Sequence, residues 1–262
     1  MVRNGRFLWG KFEMGLSHSP SIITQNLVLC LDAGNSKSYP GSGSSITDLI
    51  QTNNFTLVNP TYYSYSSSNG GSIAFTRTLP ATAEDGGYAT VATSGILTAA
   101  SYLHNNHTTE VWFKSNDRTA TGYNGTETVS ALVVYTGFHS MWYYNTSSYI
   151  YNIWGQTSGV NNTYGLSIAD SAVNVWTQLV AVRSGTTLTL YKNGVSQTSG
   201  TITSGTDGIP TNNTIRIAVA NYGGDYSWHS NINFGSLKMY KRALSAAEIQ
   251  QNYNALKSRY LP

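Results

Sequence analysis

Charge is scarce in this chain. Only 10% of its 262 residues are Asp, Glu, Lys or Arg, against about 25% in an ordinary soluble domain. The 15 basic and 12 acidic residues leave a net charge of +3. They are scattered and form no concentrated basic stripe, so no nucleic-acid partner is expected. Cys30 is the single cysteine. It excludes an internal disulfide and a cysteine-built metal cage. Its expected role is that of a small hydrophobe inside a strand. Long apolar runs are missing too. The longest, Leu27–Leu31 and Ala131–Tyr135, are far too short to cross a bilayer, so no membrane association is expected. The opening stretch, MVRNGRFLWGKFEMG, lacks the apolar core of a signal peptide. Ala, Leu, Glu and Lys are too few for a helical bundle.

Small polar residues and aromatics fill the gap. There are 32 Ser, 31 Thr and 24 Asn, alongside 6 Trp, 19 Tyr and 7 Phe. Disordered chains are poor in aromatics and rich in charge, so this composition speaks against disorder. Thr, Tyr, Val and Ile suit a pleated surface, and the composition points to an all-β fold.

Residues 1–25 read as an N-terminal arm, and residues 26–262 as one domain. The arm mixes Arg3, Arg6 and Lys11 with Phe7, Trp9 and Phe12, in no helical or strand period. Those aromatics are costly to leave in water, at about 1.5–3 kcal/mol each if buried, so the six residues are expected to dock on another subunit. The first clear strand is Leu27–Ala33, which stops in the turn-rich run from Ser38 to Gly43. Further strands are expected at Phe55–Val58, Ser72–Phe75, Tyr88–Ala92, Thr108–Lys114, Ala131–Thr136 and Ser140–Tyr144. Others are expected at Tyr149–Trp154, Trp176–Arg183, Thr186–Lys192, Thr214–Ala220 and Phe234–Tyr240. Short strands separated by Gly, Asn, Ser and Thr form the pattern of a sandwich or barrel. Asn193-Gly194 supplies the two positive φ angles of a type I′ turn and predicts a hairpin. Ser245 and Glu248 form a capping box, with Leu244 and Ile249 at the staple positions, and predict one short C-terminal helix from Ser245 to about Lys257.

The acidic residues give little support to catalysis. A retaining glycosidase needs two carboxyl groups about 5–5.5 Å apart. No two acidic residues here stand two or four positions apart, and adjacent Glu84-Asp85 would face opposite ways on a strand. The Gly-x-Ser-x-Gly and His-Glu-x-x-His motifs are absent. No catalytic residues are therefore expected. Calcium is the one metal worth raising, since it takes six to eight oxygens. Asp32 with Asn35 would start such a shell. The plainer expectation for Asp32 is a strand-end residue that bonds its own turn. Aromatic clusters are the positive signal: Tyr62-Tyr63 with Tyr65, Trp142–Tyr144, Tyr149 with Tyr151 and Trp154, and Tyr222 with Tyr226 and Trp228. On a strand, alternate rings face the core. The segment Tyr222 to His229 reads as a loop, so Tyr222, Asp225, Tyr226, Trp228 and His229 are candidates for glycan or partner contact.

Three blocks carry a family resemblance. They are Trp176–Val182, Thr187–Gly194, and Phe234-Gly-Ser-Leu-Lys-Met-Tyr240-Lys-Arg242-Ala-Leu-Ser245-Ala-Ala-Glu248-Ile249. Together they resemble the C-terminal half of laminin-G-like domains of the concanavalin A-like superfamily. Upstream, Leu29–Ala33, Ser72–Phe75 and Thr109–Lys114 stand in the expected order. The resemblance spans about residues 27–257. It implies a jelly-roll sandwich of two antiparallel sheets, often with calcium and often binding carbohydrate or protein. The run Thr76–Pro80 and the segment Gly235–Lys238 both lack the acidic residues of that pattern, which weakens a transferred calcium site.

A narrower resemblance lies in Ser19–Thr24, Asp32–Gly43 and Gln250–Tyr260. These are similar to laminin-G-like structural proteins of tailed bacteriophages. That likeness implies a virion protein (capsid decoration, neck or baseplate component, or tail appendage) present in many copies and assembled in the host cytoplasm. The expected function is non-enzymatic binding to other virion subunits. The alternative is a module that recognises host-surface glycan, and the least favoured is a glycan hydrolase.

Overall fold

The computed structural model describes residues 20–78, 86–92, 106–117, 129–135, 139–144, 148–157, 160–170, 172–201, 214–222 and 225–261. Of these, residues 129–130, 139–144, 148–157, 160–165, 221–222 and 225–228 are described by backbone only. In chain order the strands begin with β1 (Leu27–Asp32), β2 (Ser45–Ile46), β3 (Phe55–Val58), β4 (Tyr63–Ser66), β5 (Ser72–Phe75) and β6 (Tyr88–Ala92). Next come β7 (His107–Ser115), β8 (Val129–Tyr135), β9 (His139–Tyr144), β10 (Ser148–Thr157), β11 (Val160–Ala169) and β12 (Trp176–Ser184). The last are β13 (Thr187–Lys192), β14 (Val195–Thr201), β15 (Thr214–Ile217), β16 (Val219–Tyr222), β17 (Asp225–His229) and β18 (Ile232–Tyr240), followed by helix α1 (Ala246–Tyr260).

Two antiparallel sheets face each other. The first runs β14-β13-β12-β7-β18-β5-β4, with β1 also paired to β18. β5 takes the Ile232–Phe234 end of β18, while β1 takes the Ser236–Tyr240 end. The second sheet runs β11-β10-β9-β8-β15-β6-β3-β2. Between them lies one apolar core. Leu29, Leu31, Phe75, Val111, Phe113, Leu179, Phe234 and Leu237 enter it from the first sheet. Phe55, Leu57, Val91, Val133, Ile215 and Ile217 enter it from the second.

The first sheet is buried on its outer face as well, which explains why β1 reads as a continuous apolar run. Residues of β1, β12, β13 and β18 form a second cluster of Leu27, Cys30, Val180, Val182, Tyr191 and Tyr240, closed by Leu244 and Ile249. Helix α1 lies over this face. Its C-terminal end packs Tyr260 on Trp112 and Trp176, with ring centroids 4.7 and 4.6 Å apart. Gly235 makes that approach possible, because a Cβ there would stand 2.6 Å from the Tyr260 hydroxyl.

An ion pair lies between sheet and helix. Lys238 Nζ is 3.1 Å from Glu110 Oε1, and both side chains are buried. Asn252 on α1 donates to Glu110 Oε2 at 2.8 Å and accepts from the Ile23 amide at 2.8 Å. The Tyr240 hydroxyl donates to the Ile23 carbonyl at 3.1 Å. Burial pushes the Tyr240 phenol well above its ordinary value, and nearby Glu110 adds to the effect.

The predicted local motifs are present. Asn193 and Gly194 have φ of 51° and 79°, and they turn β13 into β14. The Ser245–Glu248 capping box opens α1, with both staple residues buried. Cys30 is a buried strand residue, and burial pushes its thiol up to about 11.

Several expectations need correction. Residues 20–25 are not part of a free arm. Ile22 and Ile23 pack on the outer cluster of the first sheet, and Gln251 of α1 donates to the Ser21 carbonyl at 2.8 Å. Arg3, Arg6, Phe7, Trp9, Lys11 and Phe12 lie outside the described residues. The strand expected over Thr214–Ala220 breaks at Ala218, whose φ is 68°. The chain there leaves β15 for the β16–β17 hairpin. β4 and β11 were not anticipated, because Tyr-Ser-Tyr-Ser and a run of Asn, Thr and Gly are weak apolar signals at sheet edges. Helix α1 extends past Lys257, because Tyr260 has an aromatic pocket to fill. His107, the first residue of β7, is buried.

Breaking the ion pair should be costly, whereas replacing it should not. Lys238→Met alone should lose about 3–5 kcal/mol of unfolding free energy, and Glu110→Leu/Lys238→Met should recover most of it in a urea titration. Glu248 gives a pH signature. Hydrogen bonds from Arg242, then Ser245, hold its carboxyl at about 2, below the ordinary 4.5. A depressed folded value means stabilisation that is complete above about pH 4.5 and is lost as pH falls through about 2. An acid titration followed by circular dichroism should show helix loss in that window, and Glu248→Gln should remove this component.

Candidate functional site

A groove opens at one side of the sandwich, where the two sheets end. β4 is the last strand of the first sheet, and β2 is the last of the second, next to β3. The groove has a volume of 520 Å³ and is lined by Tyr39, Gly41, Ser42, Gly43, Ser44, Leu57, Pro60, Tyr63, Ser64 and Tyr65. That volume falls within the range of small-ligand sites, about 300–1,000 Å³.

The floor belongs to the core. Tyr39 and Leu57 are buried core members, and Tyr63 and Tyr65 pack against them. The rings of Tyr39 and Tyr65 sit 5.5 Å apart at 59°. The rim is polar: Ser42, Ser44 and Ser64 are all exposed. The loop that carries the rim is tied down at both ends. Ser38 donates to the Thr47 carbonyl at 2.7 Å, and the Leu57 amide donates to the Ser44 carbonyl at 2.8 Å. Within the loop the Tyr39 hydroxyl donates to the Gly43 carbonyl at 3.1 Å. Gly41 has a φ of 94°, and a Cβ there would lie 3.2 Å from the Tyr65 ring. Burial raises the Tyr39 phenol above its ordinary value, with the neighbouring Tyr63 and Tyr65 phenols contributing, so it stays a neutral donor. An apolar floor with a hydroxyl rim can take a ligand that is itself apolar on one face and hydroxylated at its edges.

An arginine clamp stands behind the groove. Arg259, near the end of α1, donates from Nη1 and Nη2 to the two oxygens of Asp32 at 2.9 and 2.6 Å. Its guanidinium fills the space that a Cβ at Gly34 or Gly70 would take. The next residue, Gly71, faces the Tyr65 hydroxyl, which a Cβ there would meet at 3.0 Å. The clamp bears on Asp32 as a candidate calcium ligand. Both oxygens of Asp32 already face a cation, and Oδ1 also accepts from the Gly34 amide at 2.9 Å, the self-bonded turn expected of a strand end. Asn35 Oδ1 accepts from the Lys37 amide at 3.0 Å. Among the described residues, no three His, Cys, Asp or Glu side chains gather as a metal ion requires.

The other described carboxylates are engaged as well. Asp48 Oδ1 accepts from the Cys30 and Ile50 amides, each at 3.1 Å. Glu110 pairs with Lys238, Asp117 with Arg77 at 2.8 Å, Asp170 with Lys192 at 2.5 Å and Glu248 with Arg242 at 2.5 Å. None lines the groove.

The segment Tyr222–His229 is a hairpin, not a loop. β16 and β17 pair as Val219↔His229, Ala220↔Trp228 and Tyr222↔Asp225. Ala220 packs on Ala131 and Val134 of β8, which lays the hairpin on the second sheet. The side chains of Tyr222, Asp225, Tyr226 and Trp228 lie outside the described residues. His229 is only 2% exposed and sits 5.9 Å from the Tyr88 ring, so it is a packing residue and not a surface contact. Sequence reasoning did single out Tyr62-Tyr63 with Tyr65 and the turn run Ser38–Gly43. It had no signal that the two meet, because their contact is made across strand ends.

The architecture is a concanavalin A-like jelly-roll sandwich, and sequence comparison agrees. A laminin-G family model described as the concanavalin A-like lectin/glucanases superfamily matches residues 85–250, and the chain belongs to that family. No curated protein matches the chain. Among solved structures it is similar to the binding domain of botulinum neurotoxin DC in complex with rat synaptotagmin II, at 10% identity and a TM-score of 0.64. That match covers 88% of this chain and 52% of the neurotoxin chain. The same binding domain in complex with SialylT gives 10% identity, a TM-score of 0.65 and the same coverage. A structure of botulinum neurotoxin type C, whose cell entry is described as dependent upon interaction with two ganglioside molecules, gives 11% identity and a TM-score of 0.63. It covers 88% of this chain and 51% of that one. The chain thus spans about half the length of the structures it matches, and at these identities the likeness is one of fold.

The glycines of the groove separate strain from contact. Gly41→Ala should lose about 1–3 kcal/mol in urea unfolding, because a left-handed backbone and a crowded Tyr65 ring both oppose the new methyl. Gly43→Ala, at a φ of 94° with open space around it, should show the backbone cost alone and be the milder of the two.

Proposed function

We propose that this chain is a non-enzymatic recognition module that binds carbohydrate in the tyrosine groove. The observation that carries this reading is the pairing of an apolar phenol-and-leucine floor with a serine rim, with no carboxylate among the described lining residues. Sugar rings present a CH face to aromatic carbon and hydroxyls to polar edges, and tyrosine serves both needs. The fold likeness to neurotoxin binding domains described with SialylT and gangliosides supports the same direction. The absence of activity is favoured by the engagement of the described carboxylates, since glycoside hydrolysis needs two that are free to exchange protons or attack.

A second reading places the module on a bacteriophage particle, in many copies and bound to other virion subunits. One feature of the chain favours it. The three segments that resemble phage proteins, Ser19–Thr24, Asp32–Gly43 and Gln250–Tyr260, are joined through Ser21–Gln251, Ile23–Asn252 and Asp32–Arg259 contacts. Through those contacts they form one packed unit. The two readings are compatible if the virion uses the groove to touch host glycan.

A glycan array with the full chain tests the lead reading. At least one oligosaccharide should bind, and Ser42→Trp, which fills the groove from an exposed position, should abolish binding while leaving the melting temperature unchanged. Tyr63→Ala should weaken binding at least about tenfold, or about 1.4 kcal/mol. No reducing sugar should be released from the bound glycan. Absence of any sugar binding, together with purification from intact particles, would favour a purely structural role.

A further inference from the structure

We infer that the ligand of the groove is an uncharged saccharide, and that an acidic group on the sugar weakens its binding. The inference rests on the glycan reading and narrows it to a chemical class. Among the described residues, no Asp, Glu, Lys, Arg or His lines the groove. Carboxylates, sulfates and phosphates are held by guanidinium or ammonium groups or by helix N-termini. The described walls are β3, β4, Pro60 and an irregular Gly-Ser loop, and neither device is among them. The guanidinium that stands behind the groove is already committed, since both terminal nitrogens of Arg259 are on Asp32.

The interior also opposes negative charge. Tyr39 and Leu57 are buried, and the Tyr39 and Tyr65 rings sit 5.5 Å apart. The raised Tyr39 phenol reports the same environment, in which burial and two neighbouring phenols disfavour an anion. A sugar carboxylate placed there would lose water and gain no cation. Uncharged hydroxyls meet no such penalty. The Ser42, Ser44 and Ser64 hydroxyls stand exposed at the rim, each able to donate and accept. Gly41 and Gly43, both at φ 94°, leave the loop backbone bare of side chains beside them. Recognition by such groups depends little on ionic strength, because the Coulomb attraction that salt screens is missing.

The experiment uses the full chain on an array that prints each neutral oligosaccharide beside its sialylated and sulfated counterparts, lactose and sialyllactose among them. The best neutral hit and its counterparts are then titrated by calorimetry. The neutral sugar should bind at least about tenfold tighter than either counterpart. Its affinity should change less than about twofold between about 0.05 and about 0.5 M NaCl. Ser42→Lys should narrow the gap to the acidic counterparts about tenfold by supplying the missing cation. An acidic sugar that binds tighter than its neutral parent, weakens with salt and is lost in Ser42→Trp would overturn the inference while upholding the glycan reading. If no sugar binds, or if binding survives Ser42→Trp, the groove reading fails and this inference fails with it.

Discussion

The Glu110–Lys238 ion pair is the constraint on which much else depends. Two opposite charges are buried on the outer face of a sheet, where either one alone would be severely destabilising. The pair must therefore be covered, and the cover must supply further hydrogen bonds. Asn252 does both, and its position on α1 sets how the helix lies across the sheet. The same asparagine receives the Ile23 amide, so the chain entering the sandwich is registered against the chain leaving it. One polar knot thus joins β7, β18, α1 and residues 20–25. Hydrophobic packing around it is extensive but directionless, and the hydrogen bonds select the arrangement.

The consequences reach the opposite side of the molecule through the far end of α1. Once Asn252 is fixed, the last helical turn carries Arg259 to Asp32 and Tyr260 to Trp112. Arg259 then occupies a space bounded by Gly34 and Gly70, and the adjoining Gly71 abuts the Tyr65 hydroxyl. The groove is built on that side of the sandwich, between strand ends that no third sheet covers. Its tyrosines are held by core packing from below and by a glycine-rich loop from the side. A site made this way is preformed, which reduces the ordering cost of taking up a weakly binding ligand such as a sugar.

Membership in the concanavalin A-like superfamily accounts for the sandwich, and the neurotoxin binding domains share it at about one residue in ten. Such likeness carries no residue from one site to another. The functional reading therefore stands on the groove itself, on the engagement of the described carboxylates, and on the cation already seated at Asp32. The Asp32–Arg259 pair shows why a position that looks like a metal ligand in sequence need not act as one. A guanidinium satisfies both oxygens in a fork geometry, and the turn amide of Gly34 completes the shell.

The sequence by itself determined what is local. The Asn193-Gly194 turn, the Ser245–Glu248 capping box and the alternating strand Thr187–Lys192 are each written within a few neighbouring residues, because turn chemistry and capping act over one to four positions. Composition determined the all-β class, since pleated surfaces favour Thr, Tyr, Val and Ile. The apolar run Leu27–Leu31 marked a strand without naming what covers its outer face. Tertiary structure alone decided that α1 and residues 20–25 are that cover. It decided that Asp32 meets Arg259, and that His229 is packing. It decided that Tyr39 stands beside Tyr63 and Tyr65. Those contacts join positions far apart along the chain, and no periodicity encodes which strand ends will lie together. They follow only from the order of strands in two sheets and from one buried ion pair that had to be covered.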